Sequence, residues 1–240
     1  MKLDKVLYQK SHIYFIVFFL LMLAGFWLTY FTIILEQENY RMHLHGITLI
    51  LWCVLLISQP FLIKRKNYEL HKQIGKFSYV IVALIIFTTI DIYKYRLSEL
   101  TTLSARDYFA TASVLIALLT FLIFYGLAIY YKRKPSIHAR YMICTVFAMF
   151  TAVFDRMIDS YFIFLLPYFP QVAGQPVLQV FGLTLADFIL FVLCIWDWSS
   201  HKRLNVFPIA LTIHLIYHYS VLNFYKFEFW KSFCNWFFEL

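Results

Sequence analysis

The chain has 240 residues, of which 62% are hydrophobic, 21% aromatic and 14% charged, with a formal net charge of +8. That composition excludes an ordinary soluble domain and places the chain among membrane proteins. The basic excess sits in short clusters beside apolar runs, where it meets anionic lipid headgroups, so nucleic acid is excluded as a partner.

A spanning helix needs about 20 mostly apolar residues to cross a hydrocarbon core about 30 Å thick. Seven runs in chain order meet that need: Ile13–Leu35, Gly46–Ile63, Phe77–Tyr93, Tyr108–Tyr131, Tyr141–Leu165, Val177–Trp196 and Leu204–Tyr225. Each is expected to be helical, because a segment in lipid must satisfy its own backbone groups. The first run is too long for a signal-peptide core and lacks a small-residue cleavage site, so it is expected to remain as helix one. Orientation follows from the cations. Lys2, Lys5 and Lys10, then Lys64, Arg65, Lys66, Lys72 and Lys76, then Lys132, Arg133, Lys134 and Arg140, and finally Lys202 and Arg203 all fall on alternate connectors. These 14 of the 21 basic residues put the N-terminus in the cytoplasm and the C-terminus outside. The expected fold is all-α: one seven-helix integral membrane domain over 1–225, in the cytoplasmic (inner) membrane of a bacterium.

The remainder, 226–240, interleaves Phe227, Phe229, Trp230, Phe233, Trp236, Phe237 and Phe238 with Lys226, Glu228, Lys231 and Glu239. This pattern suits an amphipathic helix on the outer leaflet, with membrane lipids as its partner, or a docking surface for another membrane protein. Cys53, Cys144, Cys194 and Cys234 have neither metal-type spacing nor the pattern of a disulfide framework.

Ionisable groups inside spans point to function, because lipid penalises them unless they are paired or hydrated. Asp155, Arg156 and Asp159 fall in the outer half of the fifth run, with Arg156 and Asp159 at i, i+3. Asp91 reaches a similar level on the third run. Asp187 lies near mid-membrane, as does His214, with His218 one turn further out; His43 and His45 stand at the mouth of the second run. The expectation is a polar cavity in the outer half of the bundle. Asp155, Asp159 and Asp187 are candidate acid–base groups, and Asp91, Asp155, Arg156 and Asp159 a candidate ion-pair network that fixes packing.

His214-x-x-x-His218 puts two imidazoles on one helical face, a spacing that suits a metal or two hydrogen-bonding tasks. This resembles the HxxxH of the last span in the progestin and adipoQ receptor family, and the resemblance implies zinc held by His214, His218 and a histidine of the second helix. A wider pattern runs through His45-Gly46, Trp52, Gln59-Pro60, His71-x-x-x-Gly75 and His138-x-Arg140-x-Met142. It looks like an uncharacterised family of bacterial multi-span proteins and, more distantly, is similar to transmembrane cytochromes b. That resemblance implies a haem b held by His71 and His138. Its second pair would fall on helices two and four, but helix four has no histidine, so an outer site would take His45 with His218 in a different arrangement. Three classes of function follow: a haem-binding redox protein, a zinc-dependent intramembrane hydrolase-like enzyme, and a non-catalytic subunit or small-solute pathway in which the polar network serves packing or proton movement.

Overall fold

The computed structural model describes residues 3–172 and 174–239. Lys2, among the expected inner cations, and Leu240, the last residue of the expected tail, lie outside them. The described chain is all-α, and six of its helical segments are long and apolar enough to cross a membrane: Gln9–Phe26, Tyr40–Lys64, Tyr68–Ser98, Ala105–Tyr130, Pro135–Tyr161 and Gln179–His201. Together they mark an integral membrane protein. Backbone packing divides the chain into two compact units, Met1–Tyr95 and Arg96–Leu240.

The first unit holds α1 (Leu3–Phe26), α2 (Tyr40–Lys64) and most of α3 (Tyr68–Ser98). α1 starts ten residues before the expected Ile13 and stops nine short of Leu35. Past Phe26 the run Trp27-Leu28-Thr29-Tyr30-Phe31-Thr32-Ile33-Ile34 is rich in aromatic and β-branched residues, which lose rotamer freedom in a helix. There the chain turns, with a 3-10 turn at Phe31–Ile33, and the Tyr30 hydroxyl meets His43 Nδ1 at 2.9 Å. α2 is capped by Asn39, whose side chain accepts from the Arg41 N–H, and carries Pro60 in its last turns. α3 runs 31 residues, rising about 46 Å, well beyond the expected Phe77–Tyr93.

The second unit begins with α4 (Ala105–Tyr130), where the Asp107 carboxylate accepts from the Ser104 N–H (2.9 Å) and hydroxyl (2.6 Å). The expected fifth run is a broken helix. α5 (Pro135–Cys144) and α6 (Phe150–Tyr161) are separated by a 3-10 turn at Phe147–Met149. Thr145 contributes to the break by donating its hydroxyl to Met142 O at 2.7 Å, a local bond that competes with the helical ladder. Gly182 on α7 (Gln179–His201) seals it: a Cβ there would lie 2.8 Å from Thr151 Cα, so only glycine lets the two backbones approach this closely. A two-residue antiparallel pair, β1 (Gln171–Val172) with β2 (Gln175–Pro176), precedes α7.

α8 covers Phe207–Asn223 rather than the whole of Leu204–Tyr225; its 17 residues rise about 26 Å. Pro208 stands in its first turn, where a missing N–H is not felt. The tail forms α9 (Glu228–Glu239) and docks on its own chain. Trp230, Cys234 and Phe237, spaced i, i+4, i+7, are buried, and Ala112 of α4 packs with Trp230 and Cys234. The Trp230 indole donates to Tyr108 O at 2.9 Å. Phe229 and Trp236 stay exposed on the adjoining face.

Candidate functional site

Two neighbouring helices of the second unit, α7 and α8, build a compact polar centre. Asp187 projects from α7 between His214 and His218 of α8, which share a face because they are one turn apart. His214 Nδ1 lies 2.6 Å from Asp187 Oδ1, and His218 Nδ1 lies 2.5 Å from Asp187 Oδ2. One carboxylate thus serves two imidazoles with one oxygen each. A carboxylate only accepts, so both Nδ1 atoms carry a proton and each ring turns its Nε2 away from Asp187. His214 is completely buried and its Nε2 has no hydrogen-bond partner among the described residues. The side chains of Asp187 and His218 keep 14% and 19% of their exposure, which makes His218 the more open end.

Tyr217 extends this centre. Its ring meets that of His214 edge-on at 5.4 Å between centroids. Its hydroxyl lies 3.2 Å from Thr151 Oγ1, in the first turn of α6, and donates to Ser113 O of α4 at 3.4 Å. One turn beyond Thr151, Asp155 lies within electrostatic range of the Tyr217 hydroxyl, and its Oδ1 is buried with no hydrogen-bond partner among the described residues. Of the three expected acid–base carboxylates, Asp187 and Asp155 therefore flank Tyr217. Asp159 is exposed, as is Arg156, and no ion pair joins these two among the described residues. The expected Arg156–Asp159 pair is not made, in keeping with the small gain from tying two exposed, flexible side chains together.

Asp91 belongs to the first unit, where Arg41 holds it at 3.2 Å. Arg41 also lies over the rings of Tyr40 and Tyr95, each at 4.8 Å. His45 Nδ1 sits 3.2 Å from Thr88 Oγ1 across α2 and α3 of that unit. His71 is in the first unit and His138 in the second. His138 Nδ1 donates to Ala128 O at 2.8 Å, which directs its Nε2 away from that carbonyl. For zinc the donor set is incomplete. His214 and His218 offer two nitrogens, and among the described residues no three His, Cys, Asp or Glu side chains are grouped to hold a metal ion.

A second polar centre was not anticipated. Arg140 of α5 and Asp197 of α7 form a buried ion pair at 2.9 Å, with side-chain exposures of 1% and 2%. Arg140 also donates to Ser136 O at 3.0 Å, and His201 Nδ1 lies 3.2 Å from Asp197 Oδ1. Its only trace in the sequence is the i, i+4 spacing of Asp197 and His201. Tyr217 and Thr151 were missed as well, since one tyrosine among 18 carries no signal. Family models, curated proteins and solved structures offer no match to this chain, so the geometry of these centres carries the functional argument.

Proposed function

We propose that this chain is a seven-span protein of a bacterial cytoplasmic membrane, N-terminus inside and C-terminus outside, that takes up and passes protons at the His214–Asp187–His218 centre. The seventh span in this reading is α8 with the 3-10 turn Phe224–Lys226 that follows it, and the orientation rests on the alternation of basic connectors. The observation that carries the functional reading is the shared carboxylate, 2.6 Å and 2.5 Å from its two imidazoles.

With both rings neutral the centre bears one negative charge. A membrane interior penalises that charge, and one proton on either Nε2 cancels it. His218, the more exposed ring, is the entry point. His214 is the buried acceptor. Asp187 need not titrate: it fixes the tautomers and balances the imidazolium. The test is proton flux into dye-loaded vesicles holding the reconstituted protein. Asp187→Asn should lower the flux at least about tenfold, because it removes the balancing charge at nearly constant shape. Flux no greater than that of empty vesicles, or equal flux in a folded Asp187→Asn variant, would sink the reading.

A haem b reading keeps one supporting observation, the tether of His138 Nδ1 to Ala128 O, since an axial histidine is oriented by a hydrogen bond from its other nitrogen. A reduced-minus-oxidised spectrum of the same purified protein, expressed with haem supplied, tests it. Sharp bands that vanish in His138→Ala support it, and a featureless spectrum ends it.

A further inference from the structure

The Tyr217 hydroxyl meets two oxygens, Thr151 Oγ1 and Ser113 O, that the proton reading does not use. Tyr217 Oη lies 3.2 Å from Thr151 Oγ1 and 3.4 Å from Ser113 O. These are long for hydroxyl hydrogen bonds, which cluster near about 2.8 Å. Asp155, one turn from Thr151 on the same face of α6, has its Oδ1 buried with no hydrogen-bond partner among the described residues and lies within electrostatic range of the same hydroxyl. Tyr217 and Thr151 are themselves buried, at 0% and 5% exposure, so water does not solvate this group from outside.

The spacing has a natural interpretation. Hard cations of sodium's or calcium's size hold oxygens at about 2.4 Å, so adjacent ligands at right angles stand roughly 3.4 Å apart. A carboxylate, two hydroxyls and a backbone carbonyl are the ligand types such cations take. The carbonyl has a second lone pair beyond its helical bond, which the Tyr217 hydroxyl takes in this structure and would yield to a cation. The backbone agrees. Thr151 opens α6 immediately after the break between α5 and α6, and broken helices in membranes are where ion sites are built. Charge selects valence: one carboxylate neutralises one positive charge, whereas a divalent ion would leave a net charge in a medium that penalises it. Arg156, next to Asp155, acts on it electrostatically from an exposed position without an ion pair among the described residues, and Asp159 is exposed too.

We propose that Asp155, Thr151, Tyr217 and the Ser113 carbonyl form a binding site for a sodium-sized monovalent cation at the Tyr217 hydroxyl. Tyr217 is then shared, its ring against His214 and its oxygen on the cation. Occupancy of the cation site and protonation of the histidine centre meet at one side chain.

The experiment is thermal unfolding of the detergent-purified protein in NaCl, KCl or choline chloride at equal ionic strength. Sodium should raise the midpoint by about 2–6 °C over choline, since a ligand that binds only the folded state stabilises it by mass action. Asp155→Asn should abolish the difference while unfolding near the wild-type midpoint in choline. Thr151→Val should raise half-saturating sodium about fivefold to tenfold. Asp187→Asn should keep the sodium shift, so failure of the proton reading leaves this result standing. No sodium-specific shift in the wild type overturns the proposal, as does an equal shift in Asp155→Asn. If the midpoint instead moves with pH identically in all three salts, Asp155 holds a proton and not a metal cation.

Discussion

Replacing Asp197 by alanine is expected to be among the most damaging single changes outside the proposed site. Arg140 is 1% exposed and has Asp197 as its ion-pair partner at 2.9 Å. Without the carboxylate, the contacts its guanidinium keeps include the Ser136 carbonyl at 3.0 Å and the Phe207 ring at 5.9 Å. Removing one member of a buried pair costs about 3–5 kcal/mol, because the other charge stays desolvated. At about 2–4 °C per kcal/mol for a chain of this length, the midpoint falls by roughly 6–20 °C. Arg140→Met should be milder, since Asp197 retains the His201 Nδ1 at 3.2 Å as a hydrogen-bond donor. The double variant Arg140→Met, Asp197→Leu should recover more than half of the loss, because no charge is then stranded. The assay is thermal unfolding in detergent of the wild type, both singles and the double. A single-variant loss under about 1 kcal/mol, or a double variant as unstable as the summed singles, refutes the argument.

Two further outcomes are expected. Gly182→Ala should lower stability by about 1–3 kcal/mol, because its Cβ would stand 2.8 Å from Thr151 Cα and 3.0 Å from Phe150 backbone atoms; an unshifted melting curve would show that the break yields freely. In the tail, burial pushes the Cys234 thiol up to about 11, so near neutral pH it holds almost no thiolate. Maleimide labelling of Cys234 should therefore be slow at pH 7 and accelerate as pH rises towards that value. Trp230→Ala should speed it by loosening the docked helix, and labelling as fast as that of a free thiol would argue against the packing.

The spans were legible because apolarity over about 20 residues is a one-dimensional property, and α2, α4 and α7 fall close to where it puts them. Ends were less legible. The stop of α1 at Phe26 depends on aromatic and β-branched crowding inside a run that remains apolar throughout. The break at Phe147–Met149 was invisible for the same reason: the run stays apolar across it, and Gly182, which lets the two backbones approach, stands 31 positions from Thr151 in the chain. His214, His218 and Asp187 could be named from the sequence as buried polar groups. That one carboxylate reaches both rings could not, because it depends on how α7 and α8 are rotated about their axes. The same limit hid Arg140–Asp197, whose members lie 57 positions apart.

The sharing of Asp187 has a consequence for how substitutions combine. Losing either histidine strands one carboxylate oxygen, and losing Asp187 releases both rings, so the first change does most of the harm and the second adds little. Positions 187, 214 and 218 thus behave as a single heritable character with strong epistasis. In a library scored for transport, tolerated sequences should vary these three together or not at all.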